Sequence, residues 1–325
     1  MRNDERKIYF YDIEVGTNKK AASPPPLITE IAEVLVKRCE ESIESQTPKA
    51  LHSINNDTAF LEIRDARVDY EKGFATLLLR NSDQTAPDAF FSNPLKGTSR
   101  PARKRKGEGR DYAAHLLIRL EPSSPNNYLA LLERNTGLHA SHVKRLLQAV
   151  LKQQYQEDPA TFQCHDDSGA KDKHGNPKIV SFRPMLELRG HPSDSFISDL
   201  ENGTLQEILL VHDEQNVQLG GQNWLRKSEQ VVRVKPKSVP STGLWPKLKS
   251  ALKGQSSKGF EKARIQFKRS DGEVKSVELA TSTGAALDDY YIKSVKITDI
   301  WPVLDDSSDA IVDHLANRME GLLFG

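Results

Sequence analysis

Apolar residues fall into segments that either alternate with polar ones or recur at helical spacing, and these two periods set the expected elements. Lys7-Ile8-Tyr9-Phe10-Tyr11-Asp12-Ile13-Glu14-Val15 is aromatic and β-branched and alternates from Tyr11, which predicts a strand. Ser23-Pro24-Pro25-Pro26 ends the loop after it. Pro26 suits a first helical position, and Ile28, Ile31, Leu35 and Cys39 carry a helical repeat across 27–45. Strands are expected at 58–69 and 74–81, joined by turn residues near Lys72-Gly73. Two more are expected at 112–121 and 127–134, linked by Glu121-Pro122-Ser123-Ser124-Pro125-Asn126. Segment 139–155 reads as a helix, with Val143, Leu146, Leu147, Val150 and Leu151 forming one apolar stripe.

From Glu157 to Pro177 the chain turns polar and rich in turn residues, which marks a domain boundary or a long loop. A strand at 178–189 and a short helix near 193–201, stopped by Asn202-Gly203, come next. Strands near 204–212 and 229–235 follow, and Trp245, Leu248 and Leu252 predict a small helix over 243–253. The clearest hairpin is 260–281, turning at Ser270-Asp271-Gly272-Glu273. A last strand, 291–300, leads into a helix at 305–323 whose acidic start suits the helix dipole. No segment repeats at a fixed period. A meander of strands with helices around it predicts an α+β fold, with antiparallel sheets and helices packed on one side. The two expected parts are 1–156 and 178–325, on either side of the polar stretch 157–177.

Composition adds limits. Apolar residues at 37% and charged residues at 28% supply a core and exclude wholesale disorder. The longest apolar runs fall short of the roughly 18 residues that a membrane-spanning helix needs. The opening residues show no apolar stretch closed by a small-residue cleavage site, so no secretory signal is expected. Cys39 and Cys164 are too few for a disulfide scaffold, so a reduced cytoplasm is the expected compartment.

The net charge of +1 hides an uneven distribution. Residues 225–275 hold 14 Lys and Arg against 4 Asp and Glu, a net of +10. Residues 276–325 hold 3 against 9, a net of −6. An excess of this size over some fifty residues implies an anionic partner or an acidic neighbouring surface.

Two basic regions are the candidate site. In the first, Arg100, Arg103, Lys104, Arg105 and Lys106 fall within seven residues, flanked by Gly97, Gly107 and Gly109, and are expected on a flexible loop. Such a loop can follow a phosphate backbone and release counterions; the alternative is a solvated, disordered loop. The second region holds Arg226, Lys227, Arg233, Lys235, Lys237, Lys247, Lys249 and Lys253, and continues through Lys258, Lys262, Arg264, Lys268 and Arg269. Lys262, Arg264, Gln266 and Lys268 alternate with Ala263, Ile265 and Phe267, so the polar set shares one sheet face. That face suits a duplex backbone, unless it is solvated and packs on the acidic C-terminal segment. Aromatic residues are not interleaved as a single-strand stacking platform needs, which favours double-stranded DNA. On the 139–155 helix, His142, Lys144, Arg145 and Lys152 lie opposite the apolar stripe. The element before that helix is a strand, which argues against a helix-turn-helix.

Signals for catalysis are weak. Cys164-His165-Asp166-Asp167, His174 and His191 match no closed zinc spacing. Asp271-Gly272-Glu273-Val274-Lys275 has the acidic pair and lysine of metal-dependent nucleases, but a hairpin turn explains Asp-Gly by backbone geometry alone. No phosphate-cradling Gly-Lys-Ser/Thr loop, nucleophile elbow or His-Glu-x-x-His occurs. No cofactor, metal or catalytic residue is therefore expected.

The C-terminal third has a further feature. A basic strand ends in Lys268-Arg269-Ser270-Asp271-Gly272-Glu273, followed by a second strand, then Lys293-Ser294-Val295-Lys296-Ile297-Thr298, then an amphipathic helix. This order resembles the RexA-type phage-exclusion proteins and, more loosely, the DNA-binding component of the Kiwa antiphage system. Tyr128-Leu129-Ala130-Leu131-Leu132-Glu133 with Asn135-Thr136-Gly137, and Phe182 to Gly190, are similar to counterparts there, so the likeness covers 128–325. It implies a protein that binds DNA with little sequence preference, self-associates and works beside a membrane-protein partner. The combined expectation is a non-enzymatic, cytoplasmic, dimeric, double-stranded DNA-binding protein of phage exclusion. The alternatives are a metal-dependent nuclease and a module that docks on an acidic protein. For the dimer, the expected surface is the last helix, with Ile311, Leu315, Met319, Leu322 and Leu323 at helical spacing.

Overall fold

The structure is a computed structural model that describes residues 2–19, 21–212, 230–238, 240, 242–256, 258–282, 284–286 and 291–324. In chain order the elements begin with β1 (Arg6–Thr17), α1 (Ile28–Ser45), β2 (Leu51–Ile54), β3 (Ala59–Asp69) and β4 (Phe74–Asp83). They continue with β5 (Ala89–Asn93), β6 (Thr98–Ala102), β7 (Arg110–Arg119), β8 (Asn127–Glu133) and α2 (Ala140–Glu157). Next come β9 (Gln163–His165), β10 (Ile179–Ser181), β11 (Pro184–Gly190), α3 (Asp194–Asn202) and β12 (Thr204–His212). The chain ends with β13 (Gln230–Val234), α4 (Leu244–Ser256), β14 (Lys262–Lys268), β15 (Val274–Ala280), β16 (Ser294–Ile297) and α5 (Asp313–Phe324). The architecture is α+β with antiparallel sheets, as the sequence predicts. Among the described residues, no helix is long and apolar enough to cross a membrane.

Two compact units form, 1–188 with 295–325, and 189–294. The division differs from the expected break at 157–177. That polar stretch belongs to the larger unit, because β9 pairs with β10 and the turn between them closes on itself. Asp172 N–H donates to the Asn176 carbonyl at 2.8 Å, and Gly175 takes a positive φ of 85°. Asp167 N–H donates to the Ala21 carbonyl at 3.0 Å, tying the hairpin to the loop before α1. The single strand expected at 178–189 is two strands, β10 and β11, parted at Phe182-Arg183.

The larger unit is built on a sheet of order β11-β1-β8-β7-β4-β3-β2, with β16 also on β1. Leu77, Leu78 and Leu79 on β4, Leu116 and Leu117 on β7, and Leu131 and Leu132 on β8 are all buried, so these strands carry apolar residues on both faces. That double burial is why they read as near-continuous apolar runs. On one face Ile8, Phe10, Leu117 and Leu131 meet Ile300, Leu304, Leu315, Met319 and Leu323. The terminal helix thus turns to the chain's own core: Ile311, Leu315, Met319 and Leu323, expected on a dimer surface, are buried, and Leu322 is partly buried. This helix starts at Asp313, not 305. Residues 305–312 form a strap without regular structure over β1, β7 and β3, because their backbone groups find partners there. Asp305 and Asp306 carbonyls accept from Arg6 Nη2 and Ala113 N–H, each at 2.9 Å. Ile311 N–H donates to Asp65 Oδ2 at 2.8 Å.

Under the strap lies a buried polar set. Arg6 Nε donates to Glu133 Oε1 at 2.7 Å, and His115 Nδ1 lies 2.7 Å from Glu133 Oε2. Val312 N–H donates to His115 Nε2 at 2.9 Å, so that nitrogen is bare and the ring proton sits on Nδ1, facing the carboxylate. All three side chains are almost fully buried. Burial pushes the Glu133 carboxyl up, but donors from His115 and the Arg6 charge outweigh it and hold it below the ordinary value.

A second buried arginine ties α1 to α2. Arg38 Nη1 and Nη2 hold both oxygens of Glu157 at 2.5 and 3.2 Å. Donation from Arg38 lowers the Glu157 carboxyl from 4.5 to about 2. α1 also lies against β3, where Cys39 Sγ–H donates to the Ile63 carbonyl at 3.5 Å. Burial first, then the Asp65 and Glu62 charges, push that thiol up to about 12, so it is protonated and inert at neutral pH.

The smaller unit holds the sheet β13-β12-β14-β15 with α3 and α4. Its core is aromatic: Phe196 contacts Trp245, Phe267 and Tyr291 with ring centroids 5.5, 6.0 and 5.4 Å away. Ser193 caps α3 by accepting from Phe196 N–H at 3.1 Å. Glu201 does the same for α4, its two oxygens accepting from Leu244 N–H and Trp245 N–H at 2.9 and 2.6 Å.

Two outcomes follow from the buried charges. Glu133→Gln leaves Arg6 buried without its counter-charge, and a loss of about 3–5 kcal/mol is expected in urea unfolding; a loss within about 0.5 kcal/mol contradicts this account. Because Glu157 is depressed in the folded state, its stabilising effect is complete above about 4.5 and is lost as pH falls towards about 2. Glu157→Gln should flatten this part of the stability-against-pH curve, read as urea midpoints across the acid range.

Candidate nucleic-acid interface

β14 presents its basic residues on one face, as expected: Ala263, Ile265 and Phe267 are fully buried while Lys262, Arg264, Gln266 and Lys268 alternate with them. Several cations of this region are met by carboxylates of the same unit. Arg264 stands opposite Glu278 in the β14–β15 register and bonds it at 2.6 Å. Arg269 lies among Asp199, Asp271 and Glu273 at 3.1, 3.2 and 3.3 Å. Arg233 pairs with Glu207 at 3.2 Å, and Lys275 with Glu273 at 2.6 Å. Three of the expected DNA-facing cations, Arg233, Arg264 and Arg269, are therefore answered by the unit's own carboxylates, as is Lys275 beside them. Three of those carboxylates, Asp199, Glu207 and Glu278, lie outside the 225–275 window that produced the +10. Over 189–294 the count is 16 Lys and Arg against 13 Asp and Glu, a net of +3.

The remaining cations of this unit are more exposed. Lys247, Lys249 and Lys253 lie outside the buried Leu244, Trp245, Leu248 and Leu252 stripe of α4. Lys235, Lys237, Lys258 and Lys268 are exposed as well. Arg226 and Lys227 lie outside the described residues. In the larger unit, Lys144 is held by Glu187 at 2.6 Å while Arg145 is exposed. α2 buries its apolar stripe, and Gln148 bonds the Leu186 carbonyl at 2.8 Å, so α2 is a packed helix with a solvated outer side.

The acidic C-terminal segment finds its cations within the larger unit. Asp309 lies 3.2 Å from Arg64 and 3.0 Å from Arg80. Asp313 meets Arg67 at 2.6 Å, and Glu320 meets Lys72 at 2.9 Å.

The cluster around Arg100 is not a flexible loop. β5 and β6 form a separate two-stranded ribbon that pairs Phe90 with Pro101, Phe91 with Arg100, and Asn93 with Thr98. The glycines serve geometry. Gly97 and Gly107 take positive φ values of 63° and 87° in turns. Gly109 passes so close to Ser82 and Asp83 that a Cβ would lie 2.8 Å from the Asp83 nitrogen. After the ribbon, Lys104 Nζ donates to the Gln84 carbonyl at 2.8 Å and also to that of Ala86. Lys104 is thus a structural brace, unlike its neighbours. Arg105 N–H donates to Glu108 Oε2 at 2.6 Å and Lys104 N–H to Asp88 Oδ1 at 3.1 Å, so both acidic residues of the segment brace its turns.

Residues 84–109 hold six Lys and Arg against two Asp and Glu. Lys96, Arg100, Arg103, Arg105 and Lys106 are exposed, and among the described residues none of the five enters an ion pair. Beside them Phe90, Phe91 and Leu95 are exposed, with the Arg100 guanidinium 5.2 Å from the Phe91 ring centre. The sequence reading missed Lys96 and these apolar side chains. An exposed Phe-Phe pair ten residues from an Arg run was the available signal.

The groups considered for catalysis are placed as follows. Asp271 and Glu273 bracket the β14–β15 turn, and both face Arg269. Cys164, His165 and Asp166 lie on or beside β9, and Asp166 Oδ1 accepts from the Ser168 hydroxyl and N–H. Among the described residues, no group of three or more His, Cys, Asp or Glu is placed to hold a metal ion. The His115–Glu133 pair borders a cavity of about 220 Å³, but the second imidazole nitrogen is already engaged by Val312.

Because Arg264 is a cross-strand partner, Arg264→Glu sets two carboxylates opposite each other. A stability loss of about 1 kcal/mol is expected, with no change in the salt dependence of any nucleic-acid binding. A flatter salt dependence in a folded Arg264→Glu protein would return the sheet face to the interface.

Compared with protein-family models, with curated proteins and with solved structures, the chain matches none.

Proposed function

We propose that the chain is a double-stranded DNA-binding protein that grips the phosphate backbone with little sequence preference, through the β5–β6 ribbon and the cations that follow it. The observation that carries this is the exposed group Lys96, Arg100, Arg103, Arg105 and Lys106, with no carboxylate partner among the described residues. A cation that has no internal counter-charge condenses onto phosphate and releases a counterion, which is a gain that depends on salt and not on base sequence. Exposed lysines Lys247, Lys249 and Lys253 on α4 supply a second, weaker set in the smaller unit. Together with the resemblance to RexA-type proteins, this reading assigns the binding to phage exclusion.

The test is a gel shift on unrelated duplexes across a salt series. If all five ribbon cations each meet a phosphate, log affinity falls with log salt at a slope of about 4.5. That slope corresponds to a loss of roughly 500-fold between about 50 and 200 mM salt. Replacing Arg100, Arg103 and Arg105 by Glu should flatten the slope by about three units, equally on every sequence. An unchanged slope in a folded triple variant removes the ribbon from the interface.

A further inference from the structure

We infer that the ribbon tip, Pro94 and Leu95, is a wedge that enters the minor groove and unstacks a base step, so that the protein bends the duplex it holds. This rests on the duplex-binding reading above and gives it a mechanical consequence. Leu95 is 98% exposed, the most exposed large apolar side chain among the described residues. It is held out by a braced turn. Lys96 N–H lies 3.2 Å from both the carbonyl and the Oδ1 of Asn93, and Gly97 takes the positive φ that closes the turn. A leucine projected by rigid backbone towards water, next to a lysine and a proline, has the composition of the apolar wedges that enter a base step.

The side chains along the ribbon set the kind of surface it meets. Successive residues of a strand face opposite sides, so Phe90 and Phe91, 66% and 54% exposed, point to opposite faces. Apolar groups therefore occupy both faces and the tip. A lipid surface is a plane and would meet one face only, whereas a groove has two walls. Each strand of five residues runs about 17 Å, and paired strands lie about 4.8 Å apart before side chains are counted. The minor groove is about 6 Å wide, so this ribbon enters only where the groove is opened. Opening, unstacking and bending away from the wedge are one deformation, with kinks of about 20–90°. Arg100, stacked on Phe91, and the exposed Lys96 then face the phosphates that line the opened groove.

The experiment uses the full chain and a duplex of about 30 bp, with dyes at its ends and an unstacking-sensitive fluorescent base at its centre. Binding should bring the ends together and brighten the central base. A duplex with a central nick, where the step is already loosened, should bind about tenfold tighter than the intact one, or more. Pro94→Ala with Leu95→Ser should keep the salt slope and lose the bend, the brightening and the preference for the nick. Leu95→Phe, which keeps an apolar wedge, should retain all three. If the unaltered protein binds intact and nicked duplexes equally, with a steep salt slope and no optical change, the wedge is overturned and the duplex-binding reading stands. If it binds no duplex but binds phosphatidylserine–phosphatidylcholine vesicles in a Leu95-dependent way, both are overturned in favour of a lipid surface.

Discussion

The larger unit depends on the buried contact among Arg6, Glu133 and His115. Taking a guanidinium and a carboxylate out of water costs several kcal/mol per ion, and the pair is tolerated only if every remaining donor and lone pair is answered. Here they are. Glu133 accepts from Arg6 Nε, from His115 Nδ1 and from His115 N–H, while Arg6 donates to the carbonyls of Arg2, Glu5 and Asp305. The three residues come from β1, β8 and β7, which are neighbours in the sheet, and Glu133 stands opposite Ile8 in register. A slip of one residue in either pairing would turn Glu133 to the opposite face and leave Arg6 alone. Two partners, the Asp305 carbonyl and Val312 N–H, belong to the strap. The set therefore fixes the sheet register and docks the C-terminal segment together, and Leu304, Leu315, Met319 and Leu323 reach their core positions through it.

How much of this was legible in the sequence follows from the range of the interactions concerned. α1, α2, β3, β4, β7, β8 and the β14–β15 hairpin appear where the local periods put them, because each has one or two buried faces that impose a pattern on adjacent residues. The strap does not, because its conformation is set by Asp65 and His115, about 200 residues or more away in the chain. The β9–β10 hairpin reads as a linker for a related reason. Its turn residues are those of any loop, and bonds to distant residues, such as those to Ala21 and from Lys19 to the Ser181 carbonyl, assign it to the larger unit. The β5–β6 ribbon has no core face at all, so no alternation marks it, and its glycines signal tight geometry where flexibility was expected.

Charge was misread for the same reason. A window along the chain adds up neighbours in sequence, whereas an ion pair joins neighbours in space. The +10 over 225–275 shrinks by three once Asp199, Glu207 and Glu278 are placed beside Arg269, Arg233 and Arg264, and the whole unit 189–294 carries only +3. In the acidic segment 276–325, Asp309, Asp313 and Glu320 likewise meet Arg64, Arg67, Lys72 and Arg80, which lie on or next to β3 and β4. The cluster at Arg100–Lys106 keeps most of its charge, because the two acidic residues near it are tied to backbone N–H groups of the same segment.

This difference decides which cations can act on a polyanion. An arginine already bonded to a carboxylate must break that contact before it meets a phosphate, and exchanging one anion for another releases no counterion. The carboxylate left behind then repels the backbone at close range, where a pair separated by about 4 Å still interacts by about 4 kcal/mol near a protein surface. Arg264 and Arg269 are in this position, and a duplex laid on β14 would meet Glu278, Asp271 and Glu273 as well. Arg100, Arg103 and Arg105 carry no such cost. The ribbon before them also exposes Phe90 and Phe91. Exposed aromatic rings on a braced ribbon are a liability for a free surface, since unpaired strand edges and apolar side chains invite association. On the duplex-binding proposal, unpaired cations, exposed rings and a braced projecting turn share one occupant, a grooved polyanion with stacked bases inside it.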